Sequence, residues 1–249
     1  MEKLYFVSRG LKLCGVLEVA DPKSNAVVVT IHGYASGKDA DTYVKISKGL
    51  VEKGKNSFRF DLAGNYESEG KFEDQTISTM AQDALAAMDF LKSKGFNKFS
   101  LLGSSGGGLA AMLVALQVKL EKLALIAPVS NYIKTRTRKY GEAAIAEWKK
   151  KGYNFYDAGP RGLLRVNYSF YEDLAQYGDL YKRVETILVC PVLIIHGDKD
   201  DDVLLSDSEE LVTHLKYGKL IVVHGADHKL KVNGDRSKSI KQLVEFLAG

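Results

Sequence analysis

Six apolar runs constrain this chain more than any other feature: Ala26 to Ile31, Ser57 to Asp61, Phe99 to Leu102, Leu123 to Ala127, Val192 to His196 and Leu220 to Val223. The first is apolar throughout rather than alternating, which is how a strand covered on both faces reads. Segments with helical spacing lie between the runs. Asp41 to Glu52 places Tyr43, Ile46, Leu50 and Val51 on one face, and Thr76 to Lys92 gathers Met80, Ala84, Ala87, Met88 and Leu91. Leu109 to Val118, Ser206 to Leu215 and Arg236 to Leu247 complete the helical set. Strands alternating with helices predict an α/β fold, a mostly parallel sheet with helices on both faces. Ahead of it, Leu4 to Ser8 and Lys12 to Ala20 read as an antiparallel hairpin turning at Arg9-Gly10.

The alternation breaks once. After Pro128 more than fifty residues pass before the next strong strand, with helices expected near Tyr140 to Lys151 and Tyr168 to Leu180 and a Gly159-Pro160 punctuation between them. From Asn131 to Arg183 there are 11 Lys and Arg against 6 Asp and Glu, a local charge of +5 within a chain of +4, and 8 of the 13 tyrosines. A shift this local marks a separate piece of architecture. The expected organisation is a core of residues 1–130 and 184–249 carrying a helical lid insertion at 131–183. Such an insertion sits above the carboxyl ends of the strands, where open α/β sheets bind ligands.

Composition excludes several classes. With 45% hydrophobic and 27% charged residues in 249, the chain is an ordinary globular protein rather than a disordered one. No apolar run approaches the ~20 residues that span a bilayer, and the N-terminus enters strand-like sequence without a signal-peptide pattern. The charge is too mild to imply nucleic acid. Two cysteines, Cys14 and Cys190, suit buried thiols better than a disulfide framework. These features predict a cytoplasmic protein with no membrane span and no nucleic-acid partner.

Four loops carry chemistry. In Gly103-Ser104-Ser105-Gly106-Gly107 an apolar strand enters and an apolar helix leaves, the pattern of a strained strand-to-helix turn that exposes a nucleophilic serine. Such a turn leaves no room for Cβ atoms two residues either side. Ser105 has Gly103 and Gly107 at those offsets, whereas Ser104 would have Leu102, so Ser105 is the candidate. His32-Gly33-Tyr34 follows another strand, and its Tyr34 N–H, with the Gly106 N–H after the nucleophile, would form an oxyanion hole. After Val192 to His196 comes an acidic loop in which Asp198, Asp200, Asp201 and Asp202 compete to orient a histidine. The alternatives there are a solvated loop or a divalent-cation site. Among five histidines, His32 and His196 precede glycines at strand ends and read as loop residues, and His214 lies in a helix. His224 and His228 remain as bases, His228 being the better placed to swing over the sheet edge. Serine, acid and histidine follow in that chain order, each just past an apolar strand, so parallel strands bring them to one edge.

On these motifs the chain resembles the α/β-hydrolase superfamily over essentially its whole length. The pattern H-G-x-x-D in His196-Gly197-Asp198-Lys199-Asp200 selects Asp200, and G-x-x-H in Gly225-Ala226-Asp227-His228 selects His228. Arg59-Phe60-Asp61-Leu62 and Ser68-Glu69-Gly70-Lys71-Phe72-Glu73-Asp74 are similar to small-lid microbial esterases of the feruloyl/cinnamoyl esterase and serine-aminopeptidase-like type. Two departures stand out: Ser104 where those relatives carry a large residue, and Gly64-Asn65-Tyr66-Glu67-Ser68 in place of G-H-G-x-S. The resemblance implies a serine hydrolase with the triad Ser105, Asp200 and His228, backbone donors Tyr34 and Gly106, no metal and no organic cofactor. It acts on small-molecule esters through an acyl-enzyme, with small-peptide or acylpeptide hydrolysis as the second reading and a non-catalytic binding protein as the third. The tyrosines of the lid either present rings to an aromatic acyl group or pack the lid onto the core, and packing is the expectation.

Overall fold

A computed structural model describes residues 1–130, 135, 137–138, 141–178, 180, 183–184 and 189–249. Eight strands form one sheet: β1 (Glu2–Ser8), β2 (Leu11–Glu18), β3 (Ala26–Ile31), β4 (Asn56–Phe60), β5 (Lys98–Ser104), β6 (Lys122–Ile126), β9 (Val192–Gly197) and β10 (Gly218–Val223). Their spatial order is β1-β2-β4-β3-β5-β6-β9-β10. The pairs β1/β2 and β2/β4 are antiparallel, and every other neighbouring pair is parallel. The hairpin turns where expected, with Arg9 and Gly10 both at positive φ (51° and 78°), the backbone that a two-residue hairpin connection favours.

Side chains alternate across the strands. Val27, Val29 and Ile31 of β3 and Leu123 and Leu125 of β6 pack on the face covered by α2 (Ile77–Ser93) and α3 (Gly106–Ala115). Val28, Leu102, Ala124 and Ile126 pack on the other, under α1 (Asp41–Glu52) and α7 (Ser237–Ala248). Burying each large side chain contributes roughly 1.5–3 kcal/mol, so burial on both faces explains why these strands lack a polar side. α1 buries Tyr43, Ile46, Ser47 and Leu50, with Val51 only half-buried. α2 starts at a capping box in which Thr76 and Thr79 each bond the other's backbone N–H. α6 (Leu205–Thr213) precedes β10. Several boundaries shift by one to a few residues; at the start of α3 the helix begins at Gly106, not Leu109, because the three glycines after Ser105 form its first turn.

Between β6 and β9 the described residues hold α4 (Glu142–Lys151), β7 (Tyr153–Asp157), a 3₁₀ turn at Gly159–Arg161, β8 (Leu163–Asn167) and α5 (Ser169–Ala175). Both expected helices occur there, although Tyr140 and Asn131 lie outside the described residues. The antiparallel β7–β8 hairpin was not expected: its five-residue strands straddle a Gly-Pro punctuation and carry no long apolar run. Trp148 of α4 ties the segment together, its indole N–H donating to Val166 O at 3.1 Å and its ring packing against Tyr168 and Tyr171. Asp173 of α5 anchors it to the core by accepting from the Ser78 backbone N–H at 2.9 Å, a carboxylate at the positive end of α2. Tyr168 and Tyr171 thus pack within the segment, whereas Tyr156 borders a cavity; Tyr132, Tyr140 and Tyr181 lie outside the described residues. Among the described residues no helix is long and apolar enough to cross a membrane.

The loop after β3 is closed by a buried ammonium. Lys38, 2% exposed, reaches Asp61 at 2.8 Å, Glu67 at 2.5 Å and Asp39 at 3.0 Å. Burial works to lower its pKa, but the hydrogen bonds to these carboxylates outweigh it and hold the group above the usual lysine range. Removing one member of a buried pair strands the other in a poor solvent. Lys38→Ala is therefore expected to lower unfolding free energy by about 3 kcal/mol or more. Glu67→Gln, on a 42%-exposed partner whose loss leaves Asp61 and Asp39 on the ammonium, is expected to cost only a small fraction of that. Urea unfolding of the two variants checks the difference.

Candidate active site

β3, β5, β9 and β10 run in one direction, so the loops after them meet at one edge of the sheet. Ser105 stands between β5 and α3 at φ 52°, ψ −120°, a backbone that a non-glycine residue holds only when its surroundings enforce it. They do. The Ser105 N–H donates to Ile126 O at 2.9 Å, while its carbonyl accepts from Gly108 at 2.9 Å and Val129 at 3.2 Å. A Cβ on Gly103 would lie 2.6 Å from Gly107 O, and one on Gly107 would lie 2.4 Å from His32 O. The glycine spacing that favoured Ser105 over Ser104 thus has a steric cause in close backbone approach.

The carboxylates of the acidic loop stand in different settings. Asp200, 5% exposed, accepts from the Asp202 and Val203 N–H groups through Oδ1, each at 2.9 Å. Its Oδ2 receives His228 Nδ1 at 2.6 Å and His196 Nε2 at 3.0 Å. Burial works to raise the Asp200 pKa, but the bonds from His196 and His228 outweigh it and hold the carboxyl well below its ordinary range. Facing a carboxylate, His228 Nδ1 carries the proton, which leaves Nε2 as the ring's other face. Asp198 pairs instead with the exposed His224, at 3.0 Å, and with the Gly225 N–H at 2.6 Å. Asp201 and Asp202 are exposed.

His32 lies in the loop just past β3, as expected, whereas His196 does not lie in a loop; both are fully buried. His196 belongs to β9, and its Nε2 must hold a proton because both neighbours of that nitrogen, Val203 O and Asp200 Oδ2, are acceptors. The ring therefore braces Asp200 from behind. His32 Nε2 accepts the Leu62 N–H at 3.0 Å, so its Nδ1 carries the proton and donates to Gly33 O at 2.8 Å. Gly33 O also accepts from the Ser36 N–H at 3.1 Å. Because a trans peptide points its C=O and N–H in opposite directions, those two bonds fix where the Tyr34 N–H aims. His214 caps the C-terminal end of α6.

Ser105, Gly106, Tyr34 and His228 line one cavity of about 500 Å³, whose roof includes Tyr156 to Pro160 at the tip of the β7–β8 hairpin. A Cβ on Gly106 would touch Tyr34 Cβ at 3.9 Å, so the two candidate backbone donors adjoin. As the first residue of α3, Gly106 has an N–H that no carbonyl within its helix can accept. The arrangement provides a hydroxyl, an imidazole oriented by a carboxylate, and adjoining N–H groups around one space. Among the described residues no group of three or more His, Cys, Asp or Glu is placed to hold a metal ion. Positional reasoning along the chain missed the bracing by His32 and His196, whose only signal was a histidine before glycine at a strand end.

A model of the prolyl oligopeptidase family matches residues 50–249. The chain is similar to human mitochondrial palmitoyl-protein thioesterase ABHD10, 25% identical over 215 residues that cover 84% of this chain and 68% of that protein. It is also similar to the mouse serine hydrolase BPHL, 26% identical over 159 residues, spanning 60% of this chain and about half (55%) of BPHL. In fold it matches Est1E from Butyrivibrio proteoclasticus, solved with ferulic acid bound, at a TM-score of 0.78 and 24% identity over 98% of this chain and 97% of that one. The architecture is the α/β-hydrolase fold.

Two buried groups set an acid limit on stability. Burial lowers the His32 pKa from its ordinary 6.5, so below about pH 6.5 the unfolded chain takes up a proton that the folded chain refuses. Stability falls with pH from that point. Asp200 adds its contribution fully above 3.8 and loses it only as pH falls through its depressed value. The melting temperature is expected to decline between pH 7 and 5, and His32→Gln, though less stable, is expected to show a shallower decline in that window. Thermal melts across pH check this.

Proposed function

The chain belongs to the prolyl oligopeptidase family, and from that premise we propose that it is a serine hydrolase cleaving carboxylic esters through an acyl-enzyme on Ser105. One observation carries the reading: Asp200 holds His228 Nδ1 at 2.6 Å while His228 and Ser105 face the same cavity. In the proposed reaction His228 Nε2 takes the Ser105 proton as Oγ attacks the ester carbonyl, and the Tyr34 and Gly106 N–H groups hold the oxyanion. His228 then protonates the departing alcohol. Water, losing its proton to His228, attacks the acyl-enzyme, and collapse of the second tetrahedral intermediate returns Ser105 and releases the acid. Asp200 keeps His228 in the tautomer that leaves Nε2 toward the hydroxyl and stabilises the imidazolium that forms.

The proposal extends to organisation and location. Residues 131–183 act as a lid on a core of 1–130 and 184–249, supported by the hairpin tip lining the cavity. Cys14 and Cys190 are free, buried thiols, which suits a reducing cytoplasm. The family match favours a second reading, small-peptide or acylpeptide hydrolysis by the same groups, and the thioesterase relative adds thioesters to the substrates worth testing.

A panel of p-nitrophenyl esters, acyl thioesters and aminoacyl anilides separates these readings. Ester turnover exceeding anilide turnover is expected; the reverse order moves the assignment to peptidase. Ser105→Ala and His228→Ala are expected to lower kcat about 10⁴-fold or more, with Asp200→Ala somewhat milder. Asp198→Ala should remain close to wild type. A folded protein that takes no fluorophosphonate label at Ser105 would defeat the serine-hydrolase reading.

A further inference from the structure

Arg161 reaches from the hairpin to the loop that carries Tyr34. It lies in the 3₁₀ turn between β7 and β8. Its Nη1 spends both hydrogens on the core, donating to Ala35 O at 3.1 Å and to Asn65 Oδ1 at 2.8 Å. The guanidinium carbon stands 4.7 Å over the Tyr66 ring and 5.5 Å over the Phe72 ring. Asn65 is fully buried and turns its NH₂ group to Ala63 O at 3.3 Å, so its oxygen is committed to Arg161. Asn65 and Tyr66 are the positions at which the sequence leaves the G-H-G-x-S pattern, and both are partners of this arginine.

Ala35 follows Tyr34 and sits at φ 57°, a left-handed conformation that a non-glycine residue keeps only when held. Its carbonyl is what Arg161 grips. Tyr34 is held from the same segment: its ring centroid lies 5.3 Å from Tyr156 of β7 and 4.8 Å from Phe170 of α5, with Phe72 of the core at 4.8 Å. The insertion thus grips the backbone one residue past the candidate donor and packs against the donor's ring. An oxyanion donor accelerates a reaction only if it is already aimed when charge develops, and a misplacement of about 1 Å can cost ~10²-fold.

We propose that Arg161 is a positioning residue: seated between Ala35 and Asn65, it locks the Tyr34 loop into its oxyanion-binding shape and makes turnover depend on a docked hairpin. This rests on the serine-hydrolase reading above. It separates the insertion's role in catalysis from any contact with substrate, since the arginine touches the loop and not the reacting atoms.

The test compares wild type, Arg161→Ala and Arg161→Lys on the best ester, with active-site titration to count folded enzyme. Arg161→Ala is expected to lower kcat about 10- to 100-fold per titrated site, with KM nearly unchanged. Added guanidinium ion should restore part of that kcat, and Arg161→Lys should lie between the two. Weakened inhibition by a boronic acid, which mimics the tetrahedral oxyanion, should track the kcat loss. Wild-type kcat in both variants, or a raised KM at constant kcat, overturns the proposal. If Arg161→Ala does not fold, Arg161→Lys with kcat and boronate affinity equal to wild type overturns it alone. Wild type that neither turns over esters nor takes a fluorophosphonate label overturns the serine-hydrolase reading and this inference together, whereas active wild type with indifferent variants removes only the inference.

Discussion

A close backbone approach governs this molecule. The start of α3 lies so near the end of β3 that a methyl group on Gly107 would meet the carbonyls of Ile31 and His32 at 2.5 and 2.4 Å. A methyl group on Gly33 would in turn lie 3.2 Å from Ser104 O and 3.5 Å from Ser105 Cβ. Two segments some seventy residues apart in sequence are thereby brought into van der Waals contact without side chains between them. The strained turn at Ser105 and the Tyr34 loop adjoin because of this contact. Parallel pairing of β3 with β5 in register, Ile31 against Gly103, makes the approach possible, and the two hydrophobic layers hold the sheet against the strain.

Electrostatics complete what packing begins. A carboxylate with no exposed side-chain surface is costly unless its lone pairs are occupied. Asp200 meets that cost with backbone N–H groups on one oxygen and imidazoles on the other. Asp198 sits two residues earlier in a solvent-facing position beside an exposed histidine. Both acids accept a histidine at hydrogen-bonding distance, so contact alone does not distinguish them. Burial does: in a poorly screened setting a charge exerts more influence on its neighbour, and only Asp200 has that setting.

Much of the fold was legible because the informative residues are apolar and the period is short. Runs such as Val27-Val28-Val29 have no polar face to misplace, and the expected β3 and α1 agree with the structure to the residue. Glycine offsets around Ser105 were legible for a related reason, since absence of Cβ is a local property. His196 was misread as a loop residue, and the burial of His32 just past β3 left no mark in the sequence. A buried imidazole is stable only with partners for its nitrogens, and Leu62, Ser208 and Val203 lie far enough along the chain to leave no pattern. The β7–β8 hairpin escaped for a similar reason: Val166 is the buried residue of β8, and much of what stabilises the pair lies in Trp148, Tyr168 and Tyr171 outside it.

The same distinction sorts the cavity's groups. A hydroxyl, a carboxylate and an imidazole are chemical identities, which a motif can state. A backbone N–H is present at nearly every residue, so its usefulness lies wholly in orientation. The plane bearing the Tyr34 N–H is held through Gly33 O by His32 and Ser36, and His32 is itself held by Leu62. One residue further, Ala35 O is held by Arg161 from a different segment. Rotation of the Tyr34 plane would have to break bonds on the core side, and displacement of the left-handed residue after it would have to break the Arg161 bond on the insertion side. The orientation is therefore a property of two layers docked together, and a core with the same motifs and no insertion would retain the donor while losing part of what aims it.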